Sequence, residues 1–218
     1  IYTVGNPTVG SPGTETNAAQ LLKGSTVTFK DGTFTSDTAL RMIQNYCDLT
    51  LENMVIDGSE MKPGYSSGAP VDYIAVATNC GEVVLKGTTT IIDKDPTGDK
   101  DGRGALSLAV SHWDIEAYGN EGTSVTFDSG YTGMIASVTI DYGGDYEGTG
   151  TAAVYVEADN VKIGTMDVTY GTFQIEDGAS ALIDDLRISE GAQLNNSGSM
   201  TVEKSMVNDG NVLSSGSM

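Results

Sequence analysis

Apolar and polar residues alternate over short stretches that recur along most of the chain. In each stretch two apolar residues flank one residue that is usually polar, as Val27 and Phe29 flank Thr28. Because successive side chains of a β-strand point to opposite faces, this pattern predicts strands with one buried and one solvated face. Ten such strands are predicted, at residues 27–29, 49–51, 83–85, 106–108, 125–127, 138–140, 161–163, 173–175, 186–188 and 200–202.

Turn-forming residues follow most of these strands, beginning with Asp31 and Gly32. Helical periodicity is weak. Residues 16–23 predict a turn or two of helix, which would cover the open end of the first rung, that is, of the first turn of a stacked coil. Residues 38–44 fit either a short helix or a strand. Beyond residue 150 the predicted strands lie closer together and include further strands at 154–156 and 168–170.

The chain also repeats itself. Residues 78–93 closely copy residues 44–57, and Cys80 falls where Cys47 did. A loop-like segment at residues 59–70 accounts for the extra length of this repeat over a basic period of about 22 residues, a length typical of stacked solenoid repeats.

These patterns predict an all-β fold, a single-stranded right-handed parallel β-helix (solenoid) with a short N-terminal cap. We expect one domain over residues 1–218, with the cap at 1–25, rungs with loop insertions at 26–150 and regular rungs at 151–218. Residues 215–218 copy residues 197–200, so we expect the coil to continue in a longer protein.

Charge narrows the range of partners. The chain carries 30 acidic and 11 basic residues, for a formal net charge of -19, and has no basic island. Nucleic acid and anionic membrane surfaces are therefore not expected partners, because phosphate binding needs a positive patch. No apolar run reaches the roughly 18 residues of a membrane span, and self-repulsion between acidic chains favours a monomer.

The two cysteines test the register of the repeat. Stacked rungs would bring the backbones of Cys47 and Cys80 to about 4.8 Å from each other, the spacing of strands in a sheet. That separation permits a disulfide, but in-register neighbours often lack the required dihedral angle. The sequence is compatible both with a disulfide between the two cysteines and with two buried free thiols.

The densest group of carboxylates predicts a calcium site. Asp93, Asp95, Asp99 and Asp101 could supply oxygen ligands of the kind that calcium prefers. Measured against an EF-hand loop, the twelfth position is Gly104 and the bidentate glutamate is missing. A solvated polar loop is the alternative interpretation, and no other cofactor is expected.

Aromatic residues in predicted loops suggest a ligand-binding role. Trp113, Tyr142 and Tyr146 could stack on sugar rings or contact a protein partner, although ordinary solvated turns carry such residues too. His112 beside Asp114 has the composition of a general base, but no partner motif accompanies it, so no catalytic residue is assigned there.

One further group offers an enzymatic alternative. Asp184 and Asp185 lie beside Arg187, and paired carboxylates with a basic residue serve glycosidases and polysaccharide lyases. The other interpretation is a charged outer face. A cleft that collects three or more of six charged residues would favour the enzyme, namely Asp93, Asp95, Asp114, Asp141, Asp184 and Arg187.

Residues 26–34, 43–58 and 77–87 resemble segments of large surface proteins of gut Gram-positive bacteria, which are adhesin-like proteins of the pectate-lyase-like β-helix class. The resemblance implies a right-handed β-helix, secretion and a place at the extracellular cell surface, and it supplies no catalytic motif. We therefore expect a non-enzymatic module that acts as a rigid spacer or binds glycans or host-surface proteins. The alternative is a polysaccharide lyase or glycosidase acting on acidic polysaccharide.

Overall fold

The computed structural model describes residues 2–4, 17–21, 23–37, 39–61, 64–66, 69–71, 73–93, 104–110, 122–142 and 150–218. These residues form strands and no helix. In chain order the strands are β1 (Tyr2–Val4), β2 (Asn17–Leu21), β3 (Thr26–Lys30), β4 (Thr33–Thr35), β5 (Arg41–Asn45), β6 (Asp48–Glu52), β7 (Val55–Asp57), β8 (Gly64–Ser66), β9 (Ala69–Val71), β10 (Ile74–Thr78), β11 (Gly81–Lys86), β12 (Thr90–Ile92), β13 (Leu106–Ala109), β14 (Thr123–Phe127), β15 (Met134–Asp141), β16 (Ala152–Val156), β17 (Val161–Val168), β18 (Thr172–Ile175), β19 (Ser180–Ile188), β20 (Gln193–Asn196), β21 (Ser199–Asn208) and β22 (Asn211–Ser214).

Eight of these strands form one wholly parallel sheet, here called sheet 1. Its order is β3, β6, β11, β14, β16, β18, β20 and β22, so every neighbour in the sheet is the next sheet-1 strand along the chain. One apolar residue from each strand stands in a continuous register row, running Val27, Leu49, Val83, Val125, Val154, Phe173, Leu194 and Val212. The six inner members of this row are buried, whereas the two end members are half-buried.

The second sheet, sheet 2, has twelve strands and is parallel except for the antiparallel pair β1 and β2. Up to β13 it consists of two separate columns of short strands. Strand β15 joins them, because Ile135 pairs with Ile91 of β12 and Val138 pairs with Leu106 of β13. The later sheet-2 strands β17, β19 and β21 are long and stack on β15 in sequence.

The inward side chains of both sheets share one apolar core. Strands β6, β11 and β18 alternate between buried and more exposed positions, as the sequence pattern predicts. Burying a valine, leucine or phenylalanine side chain contributes about 1.5–3 kcal/mol, so a row of such residues holds successive strands in register. The protein is therefore an all-β chain built of parallel sheets.

The loop-like segment at residues 59–70 is an insertion between two strands in register. Leu49 of β6 pairs directly with Val83 of β11, although 34 positions separate them. Within the insertion, β8 and β9 form an antiparallel hairpin. The predicted insertion is confirmed.

Three local predictions are wrong. Residues 17–21 form strand β2 instead of a helical turn, because they pair with both β1 and β5. The predicted strand at 168–170 does not form, since Val168 is the last residue of β17. Ser107 and Thr126, expected to face solvent, are buried. None of the described residues forms a helix long and apolar enough to cross a membrane.

The two cysteines lie at the same corner of successive repeats, as predicted. The side-chain amide of Asn45 donates to the carbonyl oxygens of both Cys47 (2.8 Å) and Cys80 (3.3 Å). Both cysteines are buried thiols without a disulfide. Burial raises the pKa of Cys47 to about 11, with a further contribution from Asp48, so this thiol stays protonated at neutral pH.

Candidate functional site

The most distinctive polar group among the described residues lies on the outward face of sheet 2. Thr139 of β15, Asp167 of β17 and Arg187 of β19 pair in register and form one row across three strands. Adjacent strands lie about 4.8 Å apart, so Asp167 and Arg187 are direct cross-strand neighbours. Arg187 is exposed and Asp167 is half-buried.

A second carboxylate borders this row. Asp141 is the last residue of β15 and lies diagonally across from Asp167, because Ile140 pairs with Val168. The hydroxyl of Thr169 donates to Asp141 Oδ1 (3.2 Å) and also approaches the carbonyl of Ile140 (3.0 Å). Asp141 is thus tied to the end of the neighbouring strand.

Two tyrosines follow the ends of the same strands. The rings of Tyr142 and Tyr170 meet edge to face, with centroids 5.3 Å apart and an interplanar angle of 73°. The Tyr170 hydroxyl donates to the carbonyl of Gly150 (3.4 Å). Both rings are only partly buried against the core. We call Asp141, Tyr142, Asp167, Tyr170 and Arg187 the Asp167 patch.

The electrostatics of the patch centre on Asp167. Burial raises the pKa of Asp167 above its ordinary value, the guanidinium of Arg187 lowers it, and the carboxylate of Asp141 raises it. Asp167 Oδ1 is buried and has no hydrogen-bond partner among the described residues. An unsatisfied, half-buried carboxylate beside an exposed cation is costly for folding, and such features concentrate at functional sites.

The two carboxylates of the enzymatic alternative have different hydrogen-bond partners. Asp184 accepts a hydrogen bond from Lys204 Nζ (2.7 Å), whereas Asp185 accepts one from the Ser205 hydroxyl (2.6 Å). The register of β19 and β21 shifts between Ile183 and Asp185, which separates the surroundings of the two carboxylates. Asp185 and Arg187 share the outward face of β19, two residues apart.

Asp93 is buried and contacts β15 two residues before Thr139. Its Oδ2 atom accepts a hydrogen bond from the Ser137 hydroxyl (2.9 Å), which in turn accepts one from the Ala105 amide (2.9 Å). A side chain at Gly104 would place its Cβ 1.8 Å from Asp93 Oδ2. Asp93 therefore fastens the start of the acidic loop to its end.

The other residues predicted to bind ligands or calcium lie outside the described residues. They are Asp95, Asp99, Asp101, Trp113 and Tyr146, together with His112 and Asp114. Among the residues that the structure describes, no group of three or more His, Cys, Asp or Glu side chains is placed to hold a metal ion. The calcium site stays a prediction. Of the six charged residues proposed to line an enzyme cleft, Asp141 and Arg187 both neighbour the carboxylate of Asp167.

Sequence reasoning selected Arg187 and Tyr142 but missed Asp167 and Tyr170. Asp167 was missed because the strand predicted at residues 168–170 began after it, so Asp167 was not placed on any strand. Aligning residues 138–140, 166–168 and 186–188 as three equivalent triplets would have placed Thr139, Asp167 and Arg187 in one outward row.

In comparisons with known proteins, no family model, curated protein sequence or solved structure matches this chain.

Proposed function

We propose that this chain is a non-enzymatic, extracellular module of a cell-surface protein, folded as a right-handed parallel β-helix. It acts as a rigid spacer that presents the Asp167 patch as a binding face for glycans. The adhesin-like resemblance of its N-terminal half supports this proposal, as does its strongly acidic composition.

The unbroken register of sheet 1 carries the spacer function. Each of its eight strands pairs with the next strand of the same sheet, and the intervening chain passes through sheet 2 before returning. A coil that alternates between two parallel sheets around one core is the simplest path that satisfies both registers, and parallel crossovers are right-handed in about 98% of cases. Such a stack resists bending because every repeat contacts its neighbours along its whole length.

The Asp167 patch carries the binding function. Sugar recognition commonly combines partly exposed aromatic rings with side chains that donate to and accept from hydroxyl groups. Tyr142 and Tyr170 supply the rings, Arg187 supplies donors, and Asp141 and Asp167 supply acceptors.

Binding and turnover are measured together on the purified chain. A glycan array would be combined with assays for reducing sugars and unsaturated products, on neutral and acidic polysaccharides. We expect glycan binding without turnover, and we expect it to weaken in Asp167→Asn but not in Asp177→Asn, which changes an exposed turn carboxylate. Absence of binding to every glycan would contradict the binding function.

One observation favours a second candidate, a polysaccharide lyase or glycosidase. The raised pKa of Asp167 and the nearby Asp141 give two carboxyl groups in different environments, which is the arrangement that acid-base catalysis requires. Turnover that disappears in both Asp167→Asn and Arg187→Gln would establish this candidate in place of the non-enzymatic one. The assay is run with and without calcium, because the acidic loop at 93–104 stays a predicted calcium site.

A further inference from the structure

The charges around Arg187 restrict the class of glycan that the Asp167 patch can take. Arg187 has Asp167 beside it on β17 and Asp185 two residues away on the same face of its own strand. Asp141 lies diagonally across on the far side of Asp167. Two carboxylates, Asp167 and Asp185, therefore neighbour the guanidinium, and a third, Asp141, borders Asp167, within a chain whose formal net charge is -19.

We infer that the patch binds a neutral glycan through a vicinal diol, and that it excludes acidic polysaccharides. This inference rests on the proposed glycan-binding function and specifies its ligand. A uronate or sulfate that reached Arg187 would also approach Asp167 and Asp185, and such like-charge contacts oppose binding. Neutral hydroxyl groups have no such penalty.

The spacing of the row fits two neighbouring hydroxyl groups. Asp167 and Arg187 pair in register on strands about 4.8 Å apart, and their side chains present an acceptor next to a donor. A diol can donate from one hydroxyl to the carboxylate and accept on the other from the guanidinium. Hydrogen bonds to charged groups are about twice as strong as neutral ones, which makes this pair the main polar anchor.

The tyrosines give the patch its apolar border. Tyr142 and Tyr170 pack edge to face just beyond the ends of β15 and β17, close to Asp141 and Thr169. Their partly buried rings offer apolar surface to the C–H face of a sugar. The hydroxyl of Tyr170 is oriented towards Gly150, which fixes that ring.

Affinity for a neutral galactomannan and for polygalacturonate tests the inference, each measured by calorimetry at low and high sodium chloride. We expect the chain to bind galactomannan with little dependence on salt, because screening acts on charged ligands. Asp167→Asn and Arg187→Gln should each weaken binding about tenfold or more, the effect of losing a charge-assisted hydrogen bond. Lys162→Gln is the matched control, since it removes an exposed cation from β17 five residues before Asp167.

Each contrary outcome has a distinct meaning. Binding of polygalacturonate but not galactomannan would overturn the ligand class and leave the glycan-binding function standing. Galactomannan binding that is equal in Arg187→Gln, Asp167→Asn and Lys162→Gln would overturn the site. Failure to bind either polysaccharide, with every variant folded by circular dichroism, would overturn the inference, while turnover of galactomannan would overturn only the non-enzymatic function.

Discussion

Asp167 occupies a position that is unfavourable for folding. Its carboxylate is half-buried on β17, and its Oδ1 atom lacks a hydrogen-bond partner among the described residues. Arg187 compensates this cost only partly, because burial still raises the pKa of Asp167. A carboxylate in such surroundings is expected to contribute to function more than to folding.

Asp167→Asn should therefore stabilise the folded chain at neutral pH, by up to about 1 kcal/mol. The folded-state pKa of Asp167 lies above the unfolded one, so its ionisation penalises the folded state at pH values above the raised pKa. This penalty fades as the pH falls through the raised pKa towards the ordinary value of 3.8. The facing charged groups are Asp141 on β15 and Asp185 and Arg187 on β19.

Urea unfolding of Asp167→Asn and the parent chain at several pH values measures this effect. The stability difference should be largest near pH 7 and should shrink as the pH falls. A variant less stable than the parent at pH 7 would contradict the unfavourable environment assigned to Asp167.

Asn45 has the opposite role, because it stabilises the stack of repeats. Its buried amide nitrogen reaches the carbonyl oxygens of Cys47 and Cys80 and the hydroxyl of Thr78 (3.1 Å). Asn45→Ala should destabilise the chain by about 2–3 kcal/mol, because it leaves buried carbonyl groups unpaired. Asn211→Ala, which changes an exposed asparagine on β22, is the control. Equal melting temperatures for the two variants would contradict the bridging role of Asn45.

At the scale of strands, successive repeats approach so closely that some turn positions admit only glycine. Gly171 has a φ of +77°, and a Cβ there would lie 2.1 Å from the carbonyl oxygen of Ala152 in the preceding repeat. Gly178 has a similar φ of +80° but no atom within 4 Å of that point. A side chain at Gly178 would therefore introduce backbone strain alone, whereas a side chain at Gly171 would introduce the same strain and a clash with the preceding repeat.

Gly178→Ala should cost about 1 kcal/mol, the penalty of a left-handed backbone, whereas Gly171→Ala should cost about 3 kcal/mol because it adds a clash. Thermal unfolding of the two variants measures the difference. Equal losses would mean that strands β16 and β18 are not packed as closely as the structure has them.

Much of sheet 1 could be predicted because its signal is local. Apolar and polar residues alternate around both Leu49 and Val83. Once the insertion at residues 59–70 is removed, the repeat aligns these two residues, and this alignment predicts that their strands pair. The joining of two strand columns at β15 could not be predicted, since it depends on turn lengths and on pairing partners far apart in the chain. Asp167 was missed for a different reason, because the strand predicted at residues 168–170 began after it, and so the candidate site was only half predicted.

At the scale of the whole molecule, charge and stacking have separate consequences. A formal net charge of -19 favours solubility and opposes anionic partners, but it does not specify the fold. The fold depends on the apolar row of sheet 1, which runs from Val27 to Val212 without a missing strand. The residues one position after each member of this row form a second register row. It starts at Thr28 and ends at Leu213, and both of these end residues are exposed.

In the proposed spacer, the strands of sheet 1 stack into one rigid column. Spin labels at Thr28→Cys and Leu213→Cys, in a background of Cys47→Ser and Cys80→Ser, report its length by pulsed electron paramagnetic resonance. Seven inter-strand steps predict a narrow distance distribution near about 34 Å, and the shorter pair Thr28→Cys with Gln174→Cys, five steps apart, should give about 24 Å. A broad distribution, or two pairs with equal mean distances, would contradict the stacked column.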